Sequence, residues 1–174
     1  MAQVGIILGS DSDLPKVKNC FETLEEFDIS FEIIVSSAHR TPEETKEWVS
    51  SARSRGLKAI IAVAGGAAHL PGVVASHTTL PVIGVPIETK ISGGLDSILS
   101  ILQMPGGIPV ATMPAGRAGG INAALFAVNI LGVENASVAD KLDQYRKKMA
   151  EKIAAKNADI AAQGYKKYIA GLEG

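Results

Sequence analysis

Short apolar segments and helical segments alternate along this chain, and this alternation constrains its fold more than any other feature. Five apolar segments have the length and composition of strands: residues 4–8, 31–35, 59–63, 81–86 and 106–113. The first two are expected to be buried strands, whereas Pro109 makes the fifth less regular. The alternation predicts an α/β protein with a three-layer, doubly wound (flavodoxin- or Rossmann-like) architecture and a mostly parallel five-stranded sheet.

Apolar residues at helical spacing and local stop signals place helices between these strands. The expected helices cover residues 14–24, 42–53, 73–77, 93–103 and 122–131. Thr41 and Glu44 have the spacing of a capping box, and Pro42 would occupy the first helical position between them. His39 and Arg40 are therefore expected in a turn that precedes a helix N-terminus, where backbone N–H groups favour an anion.

Small and polar residues follow each of the first three strands. They are Ser10 and Asp13, then Ser37, His39 and Arg40, and then Gly65, Gly66 and His69. In doubly wound sheets, ligands bind beyond the carboxyl ends of the strands, where the strand order reverses. The three turns are therefore expected to converge on one site.

The character of the chain changes after residue 135. Apolar residues form one helical stripe from Val138 to Ile153 and a second from Ile160 to Leu172, with Gly164 interrupting the second. These helices could pack on their own domain or on a neighbouring subunit. We expect an α/β catalytic domain over residues 1–135 and a helical extension of it over residues 136–174. Because the α/β core looks complete without this extension, packing on a neighbouring subunit is favoured.

Bulk composition excludes several classes of protein. The 17 basic and 18 acidic residues nearly cancel and aromatic residues are 5% of the chain, so a nucleic-acid-binding function is not expected. No apolar stretch has the length of a membrane span, and the N-terminus lacks a signal-peptide pattern, so a cytoplasmic protein without membrane contact is expected. The single Cys20 excludes an intramolecular disulfide and favours a packed thiol.

Cofactor and metal motifs are also missing from the sequence. Residues 9–13 read Gly-Ser-Asp-Ser-Asp rather than G-x-G-x-x-G, and His39-Arg40 stands where a dinucleotide enzyme carries an acid for the ribose. No P-loop or nucleophile elbow occurs. The three histidines have no ligand-like spacing. We therefore expect neither a cofactor nor a metal.

The remaining polar residues suit a phosphorylated small molecule. Arg40 could bind a phosphate bidentately, and Ser10 and Ser12 could donate hydroxyl groups. Asp13 could cap the following helix or accept hydrogen bonds from ribose hydroxyls. Because imidazole titrates near neutral pH, His39 is the first candidate for a general acid and base.

Glycine and histidine in the third turn have less specific interpretations. Gly65 and Gly66 would let the backbone approach a ligand closely. His69 is a second acid/base candidate, and a structural hydrogen bond would explain it equally well.

Five motifs give the chain a specific resemblance. They are GSDSD at 9–13, SAHRTP at 37–42, AGGAAHLPG at 64–72, GVP at 84–86 and QMPGGIPV at 103–110. Together they resemble the N5-carboxyaminoimidazole ribonucleotide mutase family, also described as the catalytic subunit of phosphoribosylaminoimidazole carboxylase. The resemblance runs from about residue 4 to residue 131. A second branch of the family carboxylates aminoimidazole ribonucleotide directly and typically has lysine where this chain has Arg40.

The resemblance implies a reaction and a role for each site residue. The carboxylate of the substrate would move from the exocyclic nitrogen to ring carbon four in purine biosynthesis, without ATP, metal or biotin. Ser10, Asp13 and Arg40 would bind the ribose 5-phosphate, and His39 would transfer the proton. The resemblance also implies that the pocket is lined by Ser37, Ala64, Gly65, His69 and Leu70. The family forms homo-octamers with sites at subunit junctions.

Two alternatives remain open at this point. One is direct carboxylation of aminoimidazole ribonucleotide with carbon dioxide. The other is a module that binds a phosphosugar or nucleotide without turnover.

Overall fold

A single parallel sheet of five strands organises the computed structural model, which describes residues 1–172. The strands are β1 (Val4–Leu8), β2 (Phe31–Val35), β3 (Ala59–Ala64), β4 (Val82–Pro86) and β5 (Ala111–Thr112). All neighbouring strands pair in parallel, in the order β2-β1-β3-β4-β5. This order reverses at β1, as in flavodoxin-like proteins, and confirms the predicted α/β fold.

Helices cover both faces of the sheet. They are α1 (Lys18–Glu26), α2 (Pro42–Ser50), α3 (Leu70–Ser76), α4 (Leu95–Leu102), α5 (Arg117–Gly132), α6 (Ala136–Gln163) and α7 (Tyr165–Ala170), and a 3₁₀-helix (Asp11–Val17) precedes α1. Alternate residues of the central strands feed two apolar cores. Ile6 and Ile61 pack with α1 and α5 on one face, while Ile60 and Ala62 pack with α2, α3 and α4 on the other. The packing between β4 and α4 is tight at Gly84, where a Cβ would lie 2.5 Å from Cγ2 of Ile101.

The predicted burial of β2 is wrong. Ile33 and Val35 are 44% and 43% exposed, because β2 lies at the edge of the sheet and pairs only with β1. An apolar β-branched segment predicts a strand, but it does not say whether the strand is central.

The predicted fifth strand is much shorter than expected. Only Ala111 and Thr112 pair with β4. Proline has no N–H to donate, so Pro109 cannot contribute to the hydrogen-bond ladder with β4, and pairing begins only at Ala111. Other boundaries also differ: α2 ends at Ser50, α3 begins at Leu70, α4 is shorter by a few residues, and α5 begins at Arg117 rather than residue 122.

The C-terminal extension changes from packed to exposed along its length. Val138 is buried, and the rings of Tyr145 and Phe27 lie 5.5 Å apart. Lys141 donates a 2.8 Å hydrogen bond to Asp28 and lowers the pKa of that carboxyl. Beyond residue 146, α6 is exposed along its whole length, and it ends at Gly164, the glycine that interrupts the second apolar stripe. Within residues 1–172, no helix combines the length and apolar character needed to span a membrane.

Candidate functional site

A cavity of about 330 Å³ lies at the carboxyl ends of β1, β2 and β3. It is lined by Gly9, Ser10, Asp13, Ser37, Ala38, His39, Arg40, Ala64, Gly65, Ala68, His69 and Leu70. The position is the one where the strand order reverses, and the volume suits a small ligand. Nine of the eleven residues predicted from sequence therefore meet in one place.

Two of the predicted residues do not line the cavity. Ser12 is absent from the lining and contacts Ser10, with their hydroxyl oxygens 2.9 Å apart. The Gly66 N–H points to α4, where it donates a 2.9 Å hydrogen bond to Oγ of Ser97. Sequence reasoning missed Gly9 and Ala38, which lie inside the motifs already singled out, and it missed Ser97, which no local pattern marks.

The first turn places a carboxylate beside the cavity. Ser10 caps the 3₁₀-helix by accepting the N–H of Ser12 at 3.3 Å, so the alternative in which Asp13 is the cap is wrong. Asp13 is 8% exposed, and its Oδ1 accepts a 2.8 Å hydrogen bond from Lys16. A carboxylate at this position is suited to accepting hydrogen bonds from ligand hydroxyl groups.

Hydroxyl groups hold the second turn rigid. Oγ of Ser37 accepts the N–H groups of His39 and Arg40, each at 3.3 Å. Thr41 does not form the predicted capping box, because its Oγ1 accepts the N–H of Ser37 at 2.9 Å. Pro42 does begin the helix as predicted. The backbone that carries the imidazole and the guanidinium is thus fixed by its own side chains.

Arg40 joins the first and second turns. Its Nη2 donates a 2.8 Å hydrogen bond to the carbonyl of Gly9. A guanidinium has five N–H donors in a planar fork, so this bond leaves donors for a phosphate. Arg40 therefore ties two loops together and keeps further N–H donors that suit an anion.

His39 and His69 meet inside the cavity. Nε2 of His39 lies 2.8 Å from Nδ1 of His69, and the rings are nearly perpendicular at 84°. A hydrogen bond between two imidazole nitrogens needs one N–H and one lone pair, so the two facing atoms hold one proton between them. The two imidazoles can therefore accept or release a proton without the help of a metal or a carboxylate.

The third turn is closed by backbone contacts. The N–H of Ala68 donates to the carbonyl of Gly65 at 3.3 Å, and Gly66 has φ of 67°, a conformation that favours glycine. His69 immediately precedes α3. The small side chains of Ala64 and Ala68 leave the cavity open between this turn and the imidazoles.

A larger groove of about 850 Å³ lies at the opposite, amino edge of the sheet. Arg53, His77, Thr79 and the loop before β5 line it, and Arg53 donates a 2.9 Å hydrogen bond to Thr79. It contains none of the predicted site residues and lies away from the switch point. Size alone therefore does not identify the functional site.

Metal and thiol chemistry have little support among the described residues. No group of three histidine, cysteine, aspartate or glutamate side chains within residues 1–172 is arranged to hold a metal. Cys20 is buried, as the sequence suggests, and burial raises the pKa of its thiol to about 12. A thiol with such a pKa is a packing group rather than a nucleophile.

Comparison with known proteins identifies the family of this chain. Residues 3–152 match the family described as AIR carboxylase. The chain is 51% identical over 169 residues to the N5-carboxyaminoimidazole ribonucleotide mutase of Thermotoga maritima, covering 97% of this chain and 98% of that protein. It is 54% identical over 143 residues to the protein of the same name from Bacillus subtilis, covering 82% and 88%.

A solved structure has the same fold. The crystal structure of Treponema denticola PurE superposes with a TM-score of 0.83 at 28% identity, covering 92% of this chain and 99% of that one. The likeness extends over nearly the whole of both chains.

Proposed function

Because this chain belongs to the AIR carboxylase family, we propose that it is a mutase acting on N5-carboxyaminoimidazole ribonucleotide in purine biosynthesis. The reaction moves the carboxylate from the exocyclic nitrogen to ring carbon four and gives 4-carboxy-5-aminoimidazole ribonucleotide. The names of the relatives support this reaction. The single observation that carries it in the structure is that His39 shares one cavity with Arg40, Ser10 and Asp13.

Arg40, Ser10 and Asp13 hold the ribose 5-phosphate in this proposal. The guanidinium of Arg40 binds the phosphate, and the hydroxyl of Ser10 adds a donor at the end of β1. The carboxylate of Asp13 accepts hydrogen bonds from the ribose hydroxyls. Ser37, Gly65 and Leu70 then border the base, which places the imidazole ring of the substrate next to His39.

His39 transfers the proton that the migration requires. Cleavage of the N–carboxylate bond releases carbon dioxide, and cationic His39 gives a proton to the nitrogen as the amine forms. Ring carbon four then attacks the carbon dioxide, and neutral His39 removes the hydrogen from that carbon. The protons balance over one cycle, so no external acid or base is consumed.

In this proposal His69 holds the proton of His39 between the two proton transfers. The 2.8 Å contact between the two rings supports this role, because the second imidazole can hold the proton while the ring of the substrate changes place.

A homo-oligomer, with an octamer as the expected form, is part of the same proposal. Exposed apolar side chains on the extension support it, namely Met149 at 53%, Ile153 at 57% and Tyr165 at 64%. Such side chains over two helices are typical of a surface that packs on another subunit. A cytoplasmic location is also proposed, supported by the single buried thiol and the phosphorylated substrate.

An isotope experiment tests the reaction. The substrate is labelled with ¹³C in its carboxylate and incubated with the protein in unlabelled bicarbonate. The mutase gives product that retains the label, whereas direct carboxylation through free carbon dioxide gives unlabelled product. Binding without product formation would instead favour a non-catalytic phosphosugar-binding module.

The oligomer is tested by changing the exposed face of the extension. The variant Met149→Glu with Ile153→Glu is expected to sediment as a smaller species than the wild type. The matched control is Lys147→Glu with Lys148→Glu, which adds negative charge to the same helix outside its apolar stripe. An unchanged sedimentation coefficient for the first variant would contradict packing through this face.

A further inference from the structure

We propose that Ser97 is a positioning residue that fixes the Gly65–Gly66 peptide and thereby keeps freed carbon dioxide inside the cavity. The inference rests on the proposed function. It concerns a residue of α4 that does not line the cavity. The contact that carries it is the 2.9 Å hydrogen bond from the N–H of Gly66 to Oγ of Ser97.

Ser97 is a polar residue on the buried face of α4, together with Ile101. It has 0% exposure, and α4 reads Leu-Asp-Ser-Ile-Leu-Ser-Ile-Leu. A buried hydroxyl group is unfavourable unless it is paired. Its partner is the third turn, 31 positions away in sequence, so the hydroxyl connects α4 to the cavity wall.

The hydrogen bond fixes the orientation of one peptide. In a trans peptide the N–H and the C=O point in opposite directions. The N–H of Gly66 points to Ser97, so the carbonyl of Gly65 points away, where it accepts the N–H of Ala68 at 3.3 Å. Rotation of this peptide would break both bonds at once.

Two consecutive glycines need such an external restraint. Glycine adopts positive and negative φ with similar ease, so the peptide between Gly65 and Gly66 is the easiest in the cavity wall to rotate. The next helical turn adds a weaker contact, because Oγ of Ser100 lies 3.4 Å from the carbonyl of Gly66 and 2.7 Å from that of Asp96. Ser97 is thus the stronger of the two contacts from α4.

Rigidity at this place matters because carbon dioxide is uncharged. It has no phosphate or carboxylate to hold it between the two bond changes, so its retention depends on the shape of the wall and on the exclusion of water. Gly65 and Ala68, the two residues bonded across the turn, both line the cavity. A looser turn should let carbon dioxide escape before ring carbon four attacks.

The test measures the escape of carbon dioxide. Its readout is the ratio of aminoimidazole ribonucleotide, which is left when carbon dioxide is lost, to carboxylated product. Labelled substrate is turned over by wild type, Ser97→Ala, Ser97→Cys and a control variant, and decarboxylation in a blank without protein is subtracted. The control is Ser76→Ala, because that exposed hydroxyl donates only within α3, to Val73 at 2.7 Å.

Ser97→Ala is expected to raise the ratio about fivefold, the change that loss of one ordinary hydrogen bond produces. Ser97→Cys should lie between it and the wild type, because sulfur is a weak acceptor. The control should match the wild type.

The outcomes separate the two proposals. Slower turnover at an unchanged ratio in Ser97→Ala or Ser97→Cys would overturn the positioning role and leave the proposed function intact. If Ser97→Ala does not fold, Ser97→Cys decides the matter by the same ratio. Failure of the wild type to form carboxylated product would overturn the proposed function itself.

Discussion

The imidazole of His39 donates to or accepts from that of His69 across 2.8 Å, although the two residues belong to turns after different strands. The contact exists because β2 and β3 both flank β1 and end at the same edge of the sheet. A hydrogen bond between the two facing nitrogens needs an N–H on one ring and a lone pair on the other, so a single proton lies between them. This arrangement suits the proposed cycle, in which one proton is given to the substrate and one is then taken back from it.

Replacing His39 tests the proton transfer. His39→Asn keeps a polar side chain of similar size but cannot exchange a proton with the substrate. We expect kcat to fall by about 10²–10⁴-fold, the usual contribution of a general acid and base. Product nucleotide should still bind, as measured by calorimetry. Turnover close to that of the wild type would remove His39 from its assigned role.

Replacing Arg40 tests the phosphate contact. Arg40→Ala is expected to raise the Kd of the product nucleotide about 10–100-fold, because a hydrogen bond to a charged group is lost. Arg53→Ala, in the groove at the opposite edge of the sheet, is the matched control and should leave Kd unchanged. Equal affinities for the two variants would show that Arg40 does not contact the phosphate.

The buried thiol predicts a pH-dependent reactivity. Burial raises the pKa of Cys20 to about 12, so the native protein should react slowly with a maleimide at pH 8 and rapidly in denaturant. The folded-state pKa is raised, so the native state favours the protonated thiol. The resulting stability is present below the unfolded pKa and is lost as the pH rises from that value towards 12. Fast labelling of the native protein at pH 8 would contradict this burial.

A glycine in β4 tests the packing of α4. A Cβ at Gly84 would lie 2.5 Å from Ile101 and 2.9 Å from Val110. Gly84→Ala is therefore expected to lower the free energy of unfolding by about 1–3 kcal/mol, the usual effect of overpacking. Gly106→Ala is the control, because nothing lies within 4 Å of its Cβ position. Denaturant unfolding measures both variants, and equal midpoints would contradict the tight contact.

Much of the fold follows from local patterns. Residues 4–8 and 31–35 are strands with the predicted bounds, because both apolar segments stop at polar turns. Parallel strands bring their carboxyl ends to one edge, so the predicted turns had to be neighbours. That rule explains why Ser10, His39 and Gly65 meet in one cavity.

The errors come from information that is not local. The edge position of β2 depends on strand order, which an apolar segment does not encode. The hydroxyl of Thr41 could accept an N–H from the first turn of α2, as in a capping box, or one from the preceding turn. In the structure it accepts the N–H of Ser37. Ser97 could not be found because its partner lies 31 positions away, and nothing in the local sequence distinguishes it from Ser100 on the same helix.

The exposed edge strand has a consequence for how this protein loses activity. β2 has a neighbour on one side only, and the turn after it carries both His39 and Arg40. Edge strands open locally at a smaller free-energy cost than the whole domain. Fraying of β2 would withdraw the imidazole and the guanidinium together while β1, β3 and β4 stayed paired. Mild heating should therefore inactivate the protein while most of its amide hydrogens are still protected from exchange.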